Sequence, residues 1–444
     1  MNNPNPSLLL PLTPEAIHSS PTPDIDLNSA IFAPIREILR TSGITRECKT
    51  LTDEIFIVLC LMRVMQNTIS GRDFLQTHGQ SILPELNRGN YFASLSSGRR
   101  LKLIRSLAVS FREKYLPILR DHDDRLKIFP ELNGWQVWAA DGHKIQHATH
   151  DPRNASGSYT ASNSIFRFDL RTGYAEFLAL CKLTDKSTEH EITTLKGLDP
   201  KELRCGAIKG QSTLLVYDRA IIDFTFSYNL KQTKSIYTAT RVRVDLSPVT
   251  SIPREIDRSN PANALVISDE TITFKGAKGN WRKITSWSPD HQEVYTVLAN
   301  EMTLPCGVIN ECVRLRWNIE KAFDQHEQKF GEDKAWGKSE IGKKIQAIAV
   351  CLAHNLIELF KMTLKCDENI EDTKVITSYH REIEISEKTT IEKGFSFPKK
   401  IYLALYRPTE VSLQFIRWLR QHLTLRTLYR TAIASLRPLM KAYL

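Results

Sequence analysis

The order of hydrophobic periodicities between Trp135 and Val244 constrains the fold more than any other feature of this chain. WQVWAADGHKI alternates aromatic and β-branched residues with others, the period of a strand; its apolar run ends at Asp141, followed by a glycine that permits a turn. SIFRFDLRT and GYAEFLALCKL read as two more strands joined through a tight Thr172-Gly173 turn. Glu189 to Leu198 has the pattern of a short helix. TLLVYDRAIIDF then gives an apolar run closing at Asp218 and passing at once into helical spacing, and SIYTATRVRV is a fifth strand.

Three hairpin-connected strands, a helix, a strand, a helix and a further strand build an α/β fold, a mixed sheet of RNase H-like order flanked by helices. In such a sheet the middle of the first strand and the end of the fourth lie side by side. Asp141 and Asp218, 77 residues apart, are therefore expected together. A third acid comes from RLRWNIEKAFDQHEQKF, Arg314 to Phe330, which reads as one helix. Glu320 has Arg316, Trp317, Phe323 and Asp324 as its neighbours three and four residues away, while Leu315, Ile319 and Ala322 form an adjoining apolar stripe. One face packs on a core, and Glu320 looks into a cleft. The alternating segments ALVISDETITFKG, WRKITSWSP and EVYTVLANEM form an inserted β subdomain, which explains the 102 residues between Asp218 and Glu320.

A chain of 444 residues holds about two to four domains. The organisation expected is an irregular arm at 1–28, a helical DNA-binding region at 29–130, and the first part of the core at 131–244. The inserted β subdomain follows at 245–305, the second part of the core at 306–365, a charged flexible link at 366–396 and a basic helical region at 397–444, suited to DNA contact or self-association. In the first helical region Arg99, Arg100, Lys102 and Arg105 open the third helix, where a basic helix beside two packed ones reaches a DNA groove; a solvated helix face is the plainer alternative. Trp281 and Trp287 lie among Lys275, Lys278, Arg282 and Lys283. Such rings either pack within the hairpin or stack on an unpaired base, as expected for Trp287.

Charge favours a polyanionic partner. Sixty Lys and Arg against fifty Asp and Glu leave +10, so nucleic acid suits the surface better than an acidic small molecule. Apolar residues at 41% and charged residues at 25% exclude a disordered chain. The eight cysteines form no CxxC pair, which argues for reduced thiols and a cytoplasmic, nucleoid-associated protein. The N-terminal apolar patch is broken by Pro11 and lacks a basic leader, and the run Ile55 to Met65 is too short to span a bilayer, so no membrane partner is expected. His143, His147, His150 and Asp151 are close in sequence but lack a cysteine or an established helix register; they read as loop histidines near DNA and not as a zinc site.

Three carboxylates on rigid elements suit one reaction type. Phosphodiester cleavage by water or a 3′-hydroxyl needs an activated nucleophile and a neutralised leaving oxygen, and two hard divalent cations supply both through oxygen ligands. Asp141 would bridge both ions, Asp218 would hold one and Glu320 the other, with Mg²⁺ expected and Mn²⁺ able to substitute. Arg219, Arg316, Lys321 and Lys329 would contact phosphates without reading sequence.

DGHKI after a strand, YDRAIIDF, the TATRVR strand and above all RLRWNIEKAF resemble the DDE transposases of bacterial insertion sequences, in the branch with a β-domain inserted before the catalytic glutamate. The likeness runs from Trp135 to Leu359. It implies a metal-dependent cut at the element's terminal inverted repeats, strand transfer into target DNA and a homodimeric synaptic complex, with Asp141, Asp218 and Glu320 as the catalytic triad. Val313 and Glu327 stand where the family's signature has a tyrosine and a lysine, and Lys329 is the substitute cation. Two other readings share the fold: a nuclease without strand transfer, and a DNA-binding protein that has lost catalysis.

Overall fold

A computed structural model describes residues 25–441, apart from 49, 67–69, 80–81, 83–85, 149–150, 152, 154–156, 184–187, 205–209, 219–221, 243–246, 318, 323–333 and 406–411. Most of the expected arm, at 1–24, lies outside the described residues. The longest helices described ahead of the sheet are α1 (Leu27–Thr41), α2 (Asp53–Met65) and α3 (Gly98–Asp123). Their first turns are closed by Asp26, Thr52 and Ser97, whose side chains accept from backbone N–H groups three residues on.

The strands follow the expected order: β1 (Gln136–Ile145), β2 (Ser162–Asp169), β3 (Ala175–Leu180), helix α4 (Glu191–Lys196), β4 (Thr213–Tyr217), helix α5 (Phe224–Lys234) and β5 (Ile236–Val242). β1 pairs antiparallel with β2 and parallel with β4, and β4 pairs parallel with β5, which is the mixed RNase H-like sheet. Gly173 turns β2 into β3 with φ of 80°, a conformation open to glycine. Gly142 makes no turn. β1 runs on through it to Ile145, and its missing side chain instead admits Glu191, whose Oε1 would lie 2.0 Å from any Cβ there.

The insertion is not a separate sheet. Its strands β6 (Thr250–Pro253), β7 (Val266–Thr273), β8 (Trp281–Ser288) and β9 (Glu293–Ala299) extend the core, because β9 pairs antiparallel with β5; the nine strands run β3-β2-β1-β4-β5-β9-β8-β7-β6. Strand alternation sorts two hydrophobic cores. Trp138, Ala140, Leu215 and Tyr217 face one that includes α3 and helix α7 (Glu340–Glu368), while Val137, Ala139, Leu214 and Val216 face another that holds helix α6 (Cys306–Leu315). α7 is long and apolar enough to cross a membrane, but 83% of its most apolar window is buried in protein, the condition of a core helix.

One expectation beyond α7 is corrected. The charged link is largely a helix, α8 (Thr373–Glu392), followed by α9 (Lys399–Leu405); Ile383, Tyr402 and Phe395 cover Trp287 and Leu265 of the insertion. Its charges lie on the outer face of an amphipathic helix. The basic helices α10 (Leu413–Leu425) and α11 (Tyr429–Lys441) pack into the same core as α1 and α2, with Leu27 N–H donating to Thr427 O and Arg420 Nε to Met65 O.

Candidate active site

Asp141 and Asp218 meet because the parallel register of β1 and β4 makes them so. Ala140 pairs with Tyr217, and the next residue on each chain is one of the two acids. Asp141 also continues the face of Val137 and Ala139, which is the face that α6 covers. Its Oδ1 accepts from the Gly142 N–H at 2.9 Å.

The third acid arrives through a tightened turn. α6 ends at Leu315; the Arg316 N–H then donates to Val313 O and the Ile319 N–H to Arg316 O, both three residues back, before helical residues resume through Ala322. Val313, Leu315, Ile319 and Ala322 are buried in the core behind the sheet, so Arg316 and Glu320, four residues apart, share the face toward the strand ends. Arg314 anchors the end of α6, binding Glu311 at 2.7 Å and stacking its guanidinium 4.2 Å from the centre of the Tyr402 ring. The expected single helix from Arg314 to Phe330 is thus interrupted at Arg316, and its end lies outside the described residues.

One guanidinium joins the three acids. Arg316 Nη1 lies 2.6 Å from Asp141 Oδ2, while Nη2 lies 2.8 Å from Glu320 Oε1 and 3.8 Å from Asp218 Oδ1. Three carboxylates against one guanidinium leave two formal negative charges. Burial pushes Asp141 up to about 7, with Glu320 and Asp218 adding to the shift and Arg316 and the Gly142 N–H opposing it. Asp141 is nearly enclosed, whereas the Asp218 and Glu320 side chains stay about a third exposed. The site opens to solvent on their side. Trp317, next to Arg316 in the chain and 46% exposed, sets its ring edge-on to His291 of the β8–β9 turn, an exposure that sequence spacing did not show.

The other expected contacts divide. Lys321 is exposed beside Glu320. Arg219 and Lys329 lie outside the described residues, as do Phe323, Asp324 and Glu327. Arg99 and Arg100 do not form a groove-facing pair. Both bind Asp53 of α2, and Arg100 is buried with a further bond to Leu51 O. Trp287 is buried and stacks on Phe395 at 5.6 Å, and Trp281 packs edge-on against Phe224, so neither ring is open to a base. Arg282 of the expected basic hairpin is buried against Asp269 at 2.6 Å. Of the histidine group, His143 is buried edge-on to Phe166 and held down to about 4 by that burial, Asp151 pairs with Lys343 at 3.0 Å, and His150 lies outside the described residues.

Comparison with known proteins agrees with this geometry. Residues 167–356 match the family model of the transposase DDE domain. This part of the chain is similar to a transposase DDE domain. The matched span includes Asp218, Arg316 and Glu320, while Asp141 precedes its first residue and joins the site through β1. The match supports a transposase role in general terms. No curated protein matches the chain.

Proposed function

We propose that this chain cuts phosphodiester bonds at the terminal inverted repeats of a mobile DNA element and joins the freed ends to target DNA. The observation that carries this reading is the convergence of Asp141, Asp218 and Glu320, from three separate elements, on a single cation. Their donor set is all hard oxygen, as Mg²⁺ or Mn²⁺ prefers, and the Arg316 guanidinium stands in for a cation among them.

Bound divalent ions would supply an activated nucleophile and neutralise the leaving oxygen. The chain does the rest. β1 and β4 hold Asp141 and Asp218 at a fixed spacing, the turn at Arg316 brings Glu320 over them, and the buried side of Asp141 keeps bulk water from one wall. Lys321 lies where a phosphate of the DNA strand would pass, and Trp317 offers an exposed ring to a base at the cut end. We assign the working form to a homodimer holding two element ends, in the cytoplasm with the nucleoid.

The test uses the full chain, a duplex carrying the element end and a target plasmid in Mg²⁺. Wild type should yield cleaved ends and joined products, and Asp218→Asn or Glu320→Gln should lose about 10³-fold in cleavage, the loss of roughly 4 kcal/mol of metal-based stabilisation. Cleavage without joining would make the chain a nuclease. Cleavage untouched by either substitution would remove the acids from the chemistry.

A further inference from the structure

We propose that Arg316 is an internal counterion that keeps the acid site closed in the free protein and leaves it for a DNA phosphate, so that divalent metal and DNA load together. This rests on the reading of the three acids as metal ligands.

The geometry makes Arg316 a two-position residue. Both terminal nitrogens are engaged, Nη1 with Asp141 and Nη2 with Glu320 and Asp218. A phosphate held bidentately needs two parallel N–H donors of the same fork. Turned to the acids through both terminal nitrogens, the guanidinium cannot offer that same fork to a phosphate, which would meet only its remaining N–H edge. An ion that bridges Asp141 Oδ2 and Glu320 Oε1 would have to take the place of Arg316. Mg²⁺ sits about 2.0–2.1 Å from its oxygens, and the space between Asp141 and Glu320 is already filled by nitrogens at 2.6 and 2.8 Å.

Only the side chain has to move. The backbone at Arg316 is tied on both sides by the bonds to Val313 O and from Ile319 N–H, and the preceding turn is anchored by the Arg314–Glu311 pair. Charge sets the direction. Without Arg316 nothing offsets the mutual repulsion of the acids, so the guanidinium is held firmly until a divalent cation replaces it. Once replaced, it is a cation beside cations and is expelled toward the nearest anion, which in a DNA complex is a phosphate. Linkage then requires the reverse: a phosphate that draws Arg316 outward raises the affinity of the acids for metal by the same factor.

Mn²⁺ binding to the full-length protein without DNA, followed by calorimetry and by the spin signal of free Mn²⁺, tests this directly. Arg316→Gln should bind Mn²⁺ at least about tenfold more tightly than wild type, and adding Asp218→Asn should abolish the gain. Arg316→Lys, which keeps the charge on a compact head that cannot span three acids, should fall between, and it decides the matter if the Gln variant does not fold. Equal or weaker Mn²⁺ binding in the variants, with binding still dependent on Asp218, overturns the counterion role and leaves the metal site standing. Absence of Asp218-dependent Mn²⁺ binding in every form overturns the metal site itself, and the counterion role with it.

Discussion

Two clusters of arginine and carboxylate in this molecule are built to opposite charge balances. Near the start of α2, Asp53 is fully buried and accepts from Arg99, from Arg100 and from the Arg46 N–H, while the Arg100 guanidinium also lies 4.8 Å from the Phe56 ring centre. Two cations there enclose one anion. At the ends of β1 and β4, one cation serves three anions, two of which still reach solvent. A cluster whose hydrogen bonds close on themselves ties helices together. One with surplus carboxylate and an open side is set to exchange its cation.

The largest expected effect breaks the closed cluster. Asp53→Ala leaves Arg100 buried without its carboxylate, and removal of one partner of a buried pair costs about 3–5 kcal/mol. Urea unfolding should show that loss, while DNA affinity per folded molecule stays as in wild type. A loss below about 1 kcal/mol would mean that the two clusters do not differ in the way their burial suggests.

In the open cluster, removing an acid should have the opposite sign. The folded protein holds the Asp141 proton more tightly than the unfolded chain does, since burial raises the group to about 7 from roughly 3.9 in a peptide. Its neutral form therefore contributes stability that is full below about pH 4 and lost as pH climbs toward 7. Asp141→Asn keeps the shape and stays neutral. Without metal it should be more stable than wild type by about 2–4 kcal/mol at pH 8, with the difference fading toward pH 4. Thermal unfolding across that range checks it, and a gain that ignores pH would assign the effect to packing instead.

What the sequence disclosed follows from the same contrast. Asp141 and Asp218 were legible because strand periodicity places residues on a sheet by count, and adjacent parallel strands then do the rest. Glu320 was legible from its apolar stripe, which is buried as expected. Arg99 and Arg100 were misread because a basic pair shows its charge in sequence but not a partner 46 residues away. The expectation for Trp287 failed for a related reason: its ring is covered by Phe395, on a segment whose many charges concealed the Tyr379 and Ile383 stripe of α8. Gly142 suggested a turn, and only the position of Glu191 reveals what its missing side chain is for. Local pattern finds where a residue sits on its element; which cation meets which anion is decided by chain packing.

The smallest expected effect sharpens the contrast at the level of DNA. Lys321 is exposed on the helical segment that carries Glu320, so a phosphate reaching the acids passes within its range. Lys321→Ala should weaken binding to any duplex by about 1 kcal/mol or less and lower the slope of log affinity against log salt by about one. Arg99→Ala, with its cation tied to Asp53 of α2, should leave that slope unchanged. If Arg99 and not Lys321 alters the slope, the helical region carries the DNA after all, and the acid site meets its substrate from a direction other than its exposed rim.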